Sequence, residues 1–341
     1  MKPIRWSLAA VALALVGACQ VPPAKPAGAK KETAMFDLQA HRGGRGVRPE
    51  NTLASFRYAL GLGVSTLEMD TGVTRDGVVV VSHDTRLNPD ITRGPDGQFL
   101  EGPGPAIVEL SYAELARYDV GRIKPGSGTA KNFPEQQPSD GERIPRLADV
   151  FTLVAASGNT AVRFNIETKI EPTDPEGTVA PDRFVLALLA AIRGAGMESR
   201  VTIQSFDWRT LVLVKKLAPE IPLVALTDQQ PGEDTMEPGK EGASAWLGGF
   251  DVDDHGGSVP RTVKALGAAV WSPHAGDLTP ASIAEAHALG LTIVPWTVNE
   301  PDDMERAIAS GVDGLISDYP ARLRELLVSK GMAVAAPTPV K

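Results

Sequence analysis

The sequence predicts an α/β protein built as an eight-stranded parallel barrel of the (β/α)8, or TIM-barrel, type, and three observations carry that expectation. Short apolar runs near residues 38, 66, 164, 202, 224, 270, 294 and 315 alternate with stretches of helical periodicity. Those runs read as short, apolar and unalternating, the pattern of parallel strands covered on both faces. The span 35–330, less one irregular segment at 85–145, matches the about 250 residues of a usual barrel. A doubly wound open sheet is the competing architecture, but no glycine-rich phosphate loop opens a helix in the chain.

Residues 36–40 read as the first strand, ending at His41. Asn51 is placed to cap a helix over 52–60, where Leu53, Phe56 and Leu60 recur at helical spacing and Gly61 or Gly63 ends it. The second strand covers 64–70. Asp76-Gly77 signals a turn, and the four valines at 78–81 are strand-like. Only that turn separates them from the second strand, so they are left out of the barrel count. Residues 85–145 are rich in Pro, Gly and charge, with one helix near 111–118, and read as an insertion early in the barrel, over one rim. Beyond it, helices at 147–156, 182–192, 208–217, 259–266, 280–289, 301–310 and 320–328 alternate with strands at 161–167, 201–204, 222–226, 268–271, 291–298 and 314–317. Residues 227–243 form a polar loop. The tail at 331–341, with Ala-Ala-Pro-Thr-Pro, is expected to find no core to join and to be disordered.

The N-terminus reads as an export signal. Lys2 and Arg5 precede an apolar run from Trp6 to Val16, followed by small residues. That run is shorter than the about twenty apolar residues of a membrane-spanning helix. Leu15-Val16-Gly17-Ala18-Cys19 resembles the bacterial lipobox. The resemblance implies a signal peptide at 1–18, lipidation of Cys19, and a flexible Pro- and Ala-rich tether at 19–34. With Gln20 after the cysteine, it implies a lipoprotein anchored in the outer membrane and facing the periplasm. The alternative is an ordinary secretory signal with an incidental cysteine. Cys19 is the only cysteine, which excludes an intrachain disulfide and a cysteine-based metal site. A net charge of −8 without any basic run argues against nucleic acid as a partner.

Barrel active sites lie at the C-terminal ends of the strands, and His41, Glu68, Asp70, Glu167, Lys169, Ser205, Phe206, Trp296 and Asp318 all fall there. Side chains alternate along a strand, so Glu68 and Asp70 point the same way, as do Glu167 and Lys169. Three carboxylates converging on one rim repel each other unless a cation sits among them. Ligation by oxygen alone selects a hard divalent ion, Mg²⁺ or Ca²⁺, over zinc. Against the three carboxylates, that ion with Arg42 and Lys169 leaves one positive charge in excess, which a phosphodiester monoanion neutralises. His41 and His83 suit general acid–base work, one activating a hydroxyl and the other protonating the departing alkoxide. No serine or cysteine nucleophile with its own base accompanies them.

His41-Arg42-Gly43, Pro49-Glu50-Asn51-Thr52, Glu68-x-Asp70, Asp76-Gly77, His83-Asp84, Ile144-Pro145-x-Leu147, Glu167-x-Lys169, Ser205-Phe206 and Trp296-Thr297-Val298-Asn299 together resemble the glycerophosphodiester phosphodiesterases. The resemblance runs from about residue 37 to 325 in the family's order. It implies a TIM barrel with an early insertion and a divalent metal on Glu68, Asp70 and Glu167. It further implies an acid–base pair of His41 and His83, and phosphate held by Arg42 and Lys169. The implied reaction is hydrolysis of a glycerophosphodiester to sn-glycerol 3-phosphate and an alcohol, with the substrate's own 2-hydroxyl attacking phosphorus to give a cyclic phosphate. Thr71, where valine is frequent, and Ser317-Asp318, where Thr-Asp is frequent, depart from the pattern without touching the metal or proton-transfer residues.

Each of these residues also has a plainer reading. The histidines can be satisfied core groups, Glu68 and Asp70 part of a structural ion-pair rim, and Glu167 and Lys169 partners of each other. Trp296, read as a substrate contact, and Phe206 can be barrel packing. His274 sits on the correct rim without a motif partner, His255 and His287 read as loop and helix surface, and the acidic run 251–254 reads as a solvated loop. Two other functions stay open: a phospholipase D-like enzyme acting on lysophospholipids or sphingomyelin, and a non-catalytic lipoprotein. A pure binder has no need of an acid–base pair.

Overall fold

A parallel barrel puts the ends of its strands on one rim, so register decides which side chains meet. The computed structural model describes Met1 and residues 35–340; the signal peptide, Cys19 and the tether expected at 19–34 lie outside the described residues. Eight strands build the barrel: β1 (Asp37–Ala40), β2 (Thr66–Val73), β4 (Arg163–Thr168), β5 (Val201–Ser205), β6 (Leu223–Thr227), β7 (Val270–Pro273), β8 (Thr292–Ile293) and β9 (Gly314–Ser317). They pair in parallel in the order β8-β7-β6-β5-β4-β2-β1-β9. The ring is nearly closed by backbone bonds from Asp313 N to Ile293 O (2.9 Å) and from Ile316 N to Pro295 O (3.0 Å). The valine run is β3 (Val79–Val81), a short strand antiparallel to β2 and outside the ring. Its omission from the eight is therefore right, for the reason that a tight turn can only return a strand antiparallel.

The outer layer is α1 (Leu53–Leu62), α4 (Leu147–Ala156), α5 (Pro181–Gly194), α6 (Trp208–Leu217), α7 (Val259–Leu266), α8 (Pro280–Ala288), α9 (Pro301–Ala309) and α10 (Pro320–Ser329), with α2 (Tyr112–Leu115) and α3 (Gly128–Asn132) in the insertion. Proline begins α5, α8, α9 and α10, where its missing N–H has no intrahelical partner to lose. Phe56, Leu60, Leu67, Phe164, Phe184, Leu188, Trp208 and Leu211 are fully buried between the helices and the strands. Burial of this kind stabilises by about 1.5–3 kcal/mol per large apolar side chain.

Three expectations need correction. Thr52, not Asn51, caps α1: its hydroxyl accepts from Ser55 N, and Ser55 Oγ accepts from Thr52 N, both at 3.2 Å. Asn51 instead adopts a left-handed backbone (φ 55°), which asparagine tolerates, and spends its side chain on Asp70. The eighth strand is regular over two residues rather than the expected eight, although backbone bonds to its neighbour continue past it, with Val294 N donating to Trp271 O (3.0 Å) and Trp296 N to Pro273 O (3.1 Å). Residues 331–340 are not a loose end: Thr338 N donates to Leu60 O (2.8 Å) and Asn159 Nδ2 to Thr338 Oγ1 (2.9 Å), while Met332, Val334 and Val340 pack on the core. Gly63 makes room for this segment, since a Cβ there would lie 2.6 Å from Ala335 O. The insertion also has more order than its composition suggested. Val80, Leu87, Ile107, Leu115, Val120 and Ile144 form a small core of its own.

Candidate active site

β1 runs directly into a tight turn over His41–Gly43 in which Arg42 is left-handed (φ 51°, ψ 33°). A long side chain pays for that conformation only where its surroundings demand it. Here Arg42 N donates to Glu68 Oε2 (2.8 Å) and Arg42 O accepts from Asn51 N (3.0 Å). Gly43 is required beside it, because any Cβ would collide with Ser55. The turn swings the buried guanidinium onto Glu50 (Nη1–Oε1 2.8 Å) and Asp70 (Nε–Oδ2 3.3 Å). Nη2 has no hydrogen-bond partner among the described residues.

The register of β2 on β4 sets Asp70 opposite Glu167 and Glu68 opposite Asn165. Glu68, Asp70 and Glu167 are all buried and each presents an oxygen within 4.8 Å of the others. Lys169 pairs with Glu167 at 2.9 Å, as the plainer reading of those two had it, and also faces the cavity. β3 delivers the second histidine: Ser82 N donates to Asp70 O (3.0 Å), which holds His83 at the edge of the carboxylate group.

Both imidazoles are held through Nδ1. His41 Nδ1 lies 2.6 Å from Asp318 Oδ1, and Asn299 steadies that carboxylate by donating from Nδ2 (2.8 Å) and accepting from Asp318 N (2.9 Å). His83 Nδ1 lies 2.7 Å from Asp84 Oδ1, with Asn88 Nδ2 on the other oxygen (2.7 Å). Each ring is thereby left with Nε2 for a ligand. A cavity of about 200 Å³ collects His41, His83, Arg42, Lys169, Glu68 and Glu167, with Trp296 and Phe206 as its apolar wall. Trp296 is wedged edge-to-face between Phe206 and His274, with centroids 5.3 Å apart in both cases. Asp70 is buried beside Glu68 and Glu167 and does not itself line the cavity.

The charges in this cavity are out of balance without a cation. Burial and the nearby Asp70 push Glu68 well above the usual carboxylate range. Burial, with Asp70 adding to it against Lys169, raises Glu167 to about 7. For Asp70 itself burial is outweighed by Arg42, His83 and Lys169, which hold it low. Its Oδ1 is buried with no hydrogen-bond partner. Two carboxyls driven toward neutrality and one orphaned carboxylate oxygen fit a hard divalent cation among the three.

The histidines are held low in turn. Burial lowers His41, and Arg42 and Arg45 add to it against Asp318. Burial, then Arg42 and Lys169, bring His83 to about 4. Asp318, in spite of its burial, is held at about 2 by His41 and Arg45. All three shifts have one sign for stability. The unfolded chain binds protons on histidine below pH about 6.5 and on aspartate below about 4, where the folded one resists them. The share of stability due to these three groups is thus complete near pH 7 and lost progressively as pH falls from about 6.5 toward 2. Glu68 and Glu167, raised above the ordinary carboxylate range, act in the opposite sense and stabilise the metal-free protein as pH falls. Glu167→Gln removes one of these opposing groups, so by calorimetry its metal-free Tm is expected to fall more between pH 7 and pH 4.5 than that of the unaltered protein; an equal change in the two would contradict these environments.

A second oxygen- and nitrogen-bearing group, Asp228, His274 and Asp277, gathers at the ends of β6 and β7. At least one candidate ligand atom of each is already engaged: Asp277 accepts from Gln229 N and Gln230 Nε2, Asp228 Oδ1 from Gln230 N, and His274 Nδ1 from Gly276 N. The sequence left His274 without a partner, gave Asp318 and Asn299 no role, and gave Asn51 that of a helix cap. Asp318 and Asn299 did stand at strand ends or in motifs, but which groups they meet depends on barrel closure.

Imidazoles and cations arranged over three buried carboxylates, at the C-terminal mouth of a (β/α)8 barrel, define a phosphoric diester hydrolase. Residues 41–322 match the Glycerophosphoryl diester phosphodiesterase family, and the chain belongs to it. A glycerophosphodiester phosphodiesterase of Caldanaerobacter subterraneus subsp. tengcongensis is 32% identical over 292 residues, covering 86% of this chain and 97% of that one. The crystal structure of a Silicibacter pomeroyi DSS-3 protein bearing the family's name superposes with a TM-score of 0.78 at 35% identity, over 88% of this chain and 95% of that one. An Oleispira antarctica phosphodiesterase, solved in complex with the product sn-glycerol-3-phosphate, has a TM-score of 0.63 at 22% identity, over 86% of this chain and 97% of that one. The last likeness is one of fold.

Proposed function

We propose that this protein hydrolyses glycerophosphodiesters to sn-glycerol 3-phosphate and an alcohol, by acid–base catalysis from His41 and His83. The observation that carries the reading is the pair of imidazoles, each tied at Nδ1 to a carboxylate and each lining a cavity that also holds Arg42 and Lys169. Glu68, Asp70 and Glu167 would hold a divalent ion, Mg²⁺ or Ca²⁺ by their oxygen-only chemistry. Once bound, that ion would stabilise charge on the phosphoryl oxygens.

The remaining steps belong to the side chains. Arg42 and Lys169 offer cationic nitrogens to the non-bridging oxygens, and Trp296 packs against the glycerol carbons. One imidazole takes the proton of the glycerol 2-hydroxyl as its oxygen bonds to phosphorus. The other gives a proton to the alkoxide as the phosphorus–oxygen bond to the alcohol breaks. Water then opens the five-membered cyclic phosphate with the proton-transfer roles exchanged. No serine or cysteine is among the described residues lining the cavity, which is consistent with an attacking group supplied by the substrate.

Glycerophosphocholine, glycerophosphoethanolamine and lysophosphatidylcholine are the substrates to test, each with Mg²⁺, Ca²⁺ or EDTA. Release of glycerol 3-phosphate from the first two, abolished by EDTA, is expected. Preference for lysophosphatidylcholine would move the assignment to a phospholipase D-like activity, and turnover of none of them would leave a binding protein.

A further inference from the structure

The interior of a (β/α)8 barrel is usually filled by branched apolar side chains, yet beneath this site it holds a column of amides. Gln204 Nε2 donates to Glu68 Oε1 (2.6 Å). Asn165 Nδ2 donates both to Gln204 Oε1 (2.8 Å) and to Gln39 Oε1 (3.0 Å). Gln39 Nε2 donates to Asp37 Oδ2 (3.0 Å), whose other oxygen takes Thr66 Oγ1 (2.7 Å) and Arg163 (2.8 Å). Thr202 Oγ1 donates to Asn165 Oδ1 (2.9 Å). Gln39, Asn165, Gln204 and Glu68 are all buried, out of reach of bulk solvent.

The direction of the column follows from its ends. A carboxylate only accepts, so both glutamines must turn their NH₂ groups outward, to Glu68 and to Asp37, and their carbonyls inward. Two carbonyls facing one another need a double donor between them. Asn165, with its two N–H bonds, supplies it, and Thr202 satisfies the oxygen left over. With Gln204 on Oε1 and Arg42 N on Oε2 (2.8 Å), the Glu68 carboxylate is pinned at both oxygens. In this position the carboxylate keeps an oxygen within 4.8 Å of oxygens of Asp70 and Glu167.

We propose that Asn165 and Gln204 are positioning residues for Glu68: Asn165 sets the amide direction and Gln204 transmits it, so that the carboxylate is preoriented for a divalent cation. This rests on the metal reading given under the proposed function. Asn165→Asp replaces the double donor by an acceptor. Both glutamines would then turn their NH₂ groups inward, and the Gln204 carbonyl would face Glu68. Gln204→Met removes the donor to Glu68 without adding a buried charge. Gln39→Met makes the equivalent deletion on the arm that leads to Asp37, away from the site.

The test is calorimetric titration of EDTA-stripped, full-length protein and each variant with Mg²⁺ and with Ca²⁺ alone. Asn165→Asp and Gln204→Met are expected to weaken binding about 10–100-fold, the range for groups that orient a metal ligand, and Gln39→Met less than about twofold. If Asn165→Asp fails to fold, the contrast between Gln204→Met and Gln39→Met decides. Equal affinity in Gln204→Met and the unaltered protein, or an equal loss in Gln39→Met, overturns the inference. Binding of neither ion by the unaltered protein overturns the metal reading itself, and this inference with it.

Discussion

Replacing His41 with alanine is expected to lower kcat on glycerophosphocholine by about 10²–10⁴-fold, the range for loss of a positioned proton-transfer group. His83→Ala should do the same, and the double variant should lose much less than the product of the two, since acid and base act on the same bond changes. Protein stability should not be the cause. Asp318 keeps Arg45 and Asn299 as partners after His41 is removed, so no buried carboxylate is left alone. The check is steady-state kinetics at saturating substrate together with the Tm of each variant. A His41→Ala enzyme retaining more than about a tenth of its kcat would remove this imidazole from proton transfer.

Glu167→Gln is expected to separate metal binding from folding. Burial and Asp70 already push this carboxyl up to about 7, so the charged form is not what stabilises the metal-free protein. A neutral amide of the same size can still accept from Lys169 at the position of Oε1. With EDTA present, Tm should therefore stay within a few degrees of the unaltered protein. With metal added the two should diverge. A ligand at 100 times its Kd stabilises by about 2.7 kcal/mol, which in a domain of this size raises Tm by roughly 4 °C. Glu167→Gln should lose most of that rise and most of its phosphodiesterase activity. A full metal-induced rise in the variant would show that the ion does not use Glu167.

Much of this was readable from local pattern. Glu68 and Asp70 stand two apart on a strand, as do Glu167 and Lys169, and strand alternation alone puts each pair on one side. The errors came where the pattern is not local. Asn51 looked like a helix cap because its type and place suited one, but the backbone turn at Arg42 and the buried Asp70 claimed it. The Pro- and Ala-rich tail has no periodicity to read. It is nevertheless held by Leu60 O, a helix-end carbonyl far back in the chain that lacks an intrahelical donor.

By itself, then, the sequence determined the barrel, the alternation of its layers, the family, and the residues gathered at the strand ends. Each is written in periods of two or 3.6 residues or in short motifs, which act over one or two turns of chain. Only the tertiary structure decided that His41 leans on Asp318, 277 residues away, and that Gln204 reaches Glu68 across 136. Those contacts depend on closure and register of the ring. A one-residue slip in either would turn the same side chains to the opposite face.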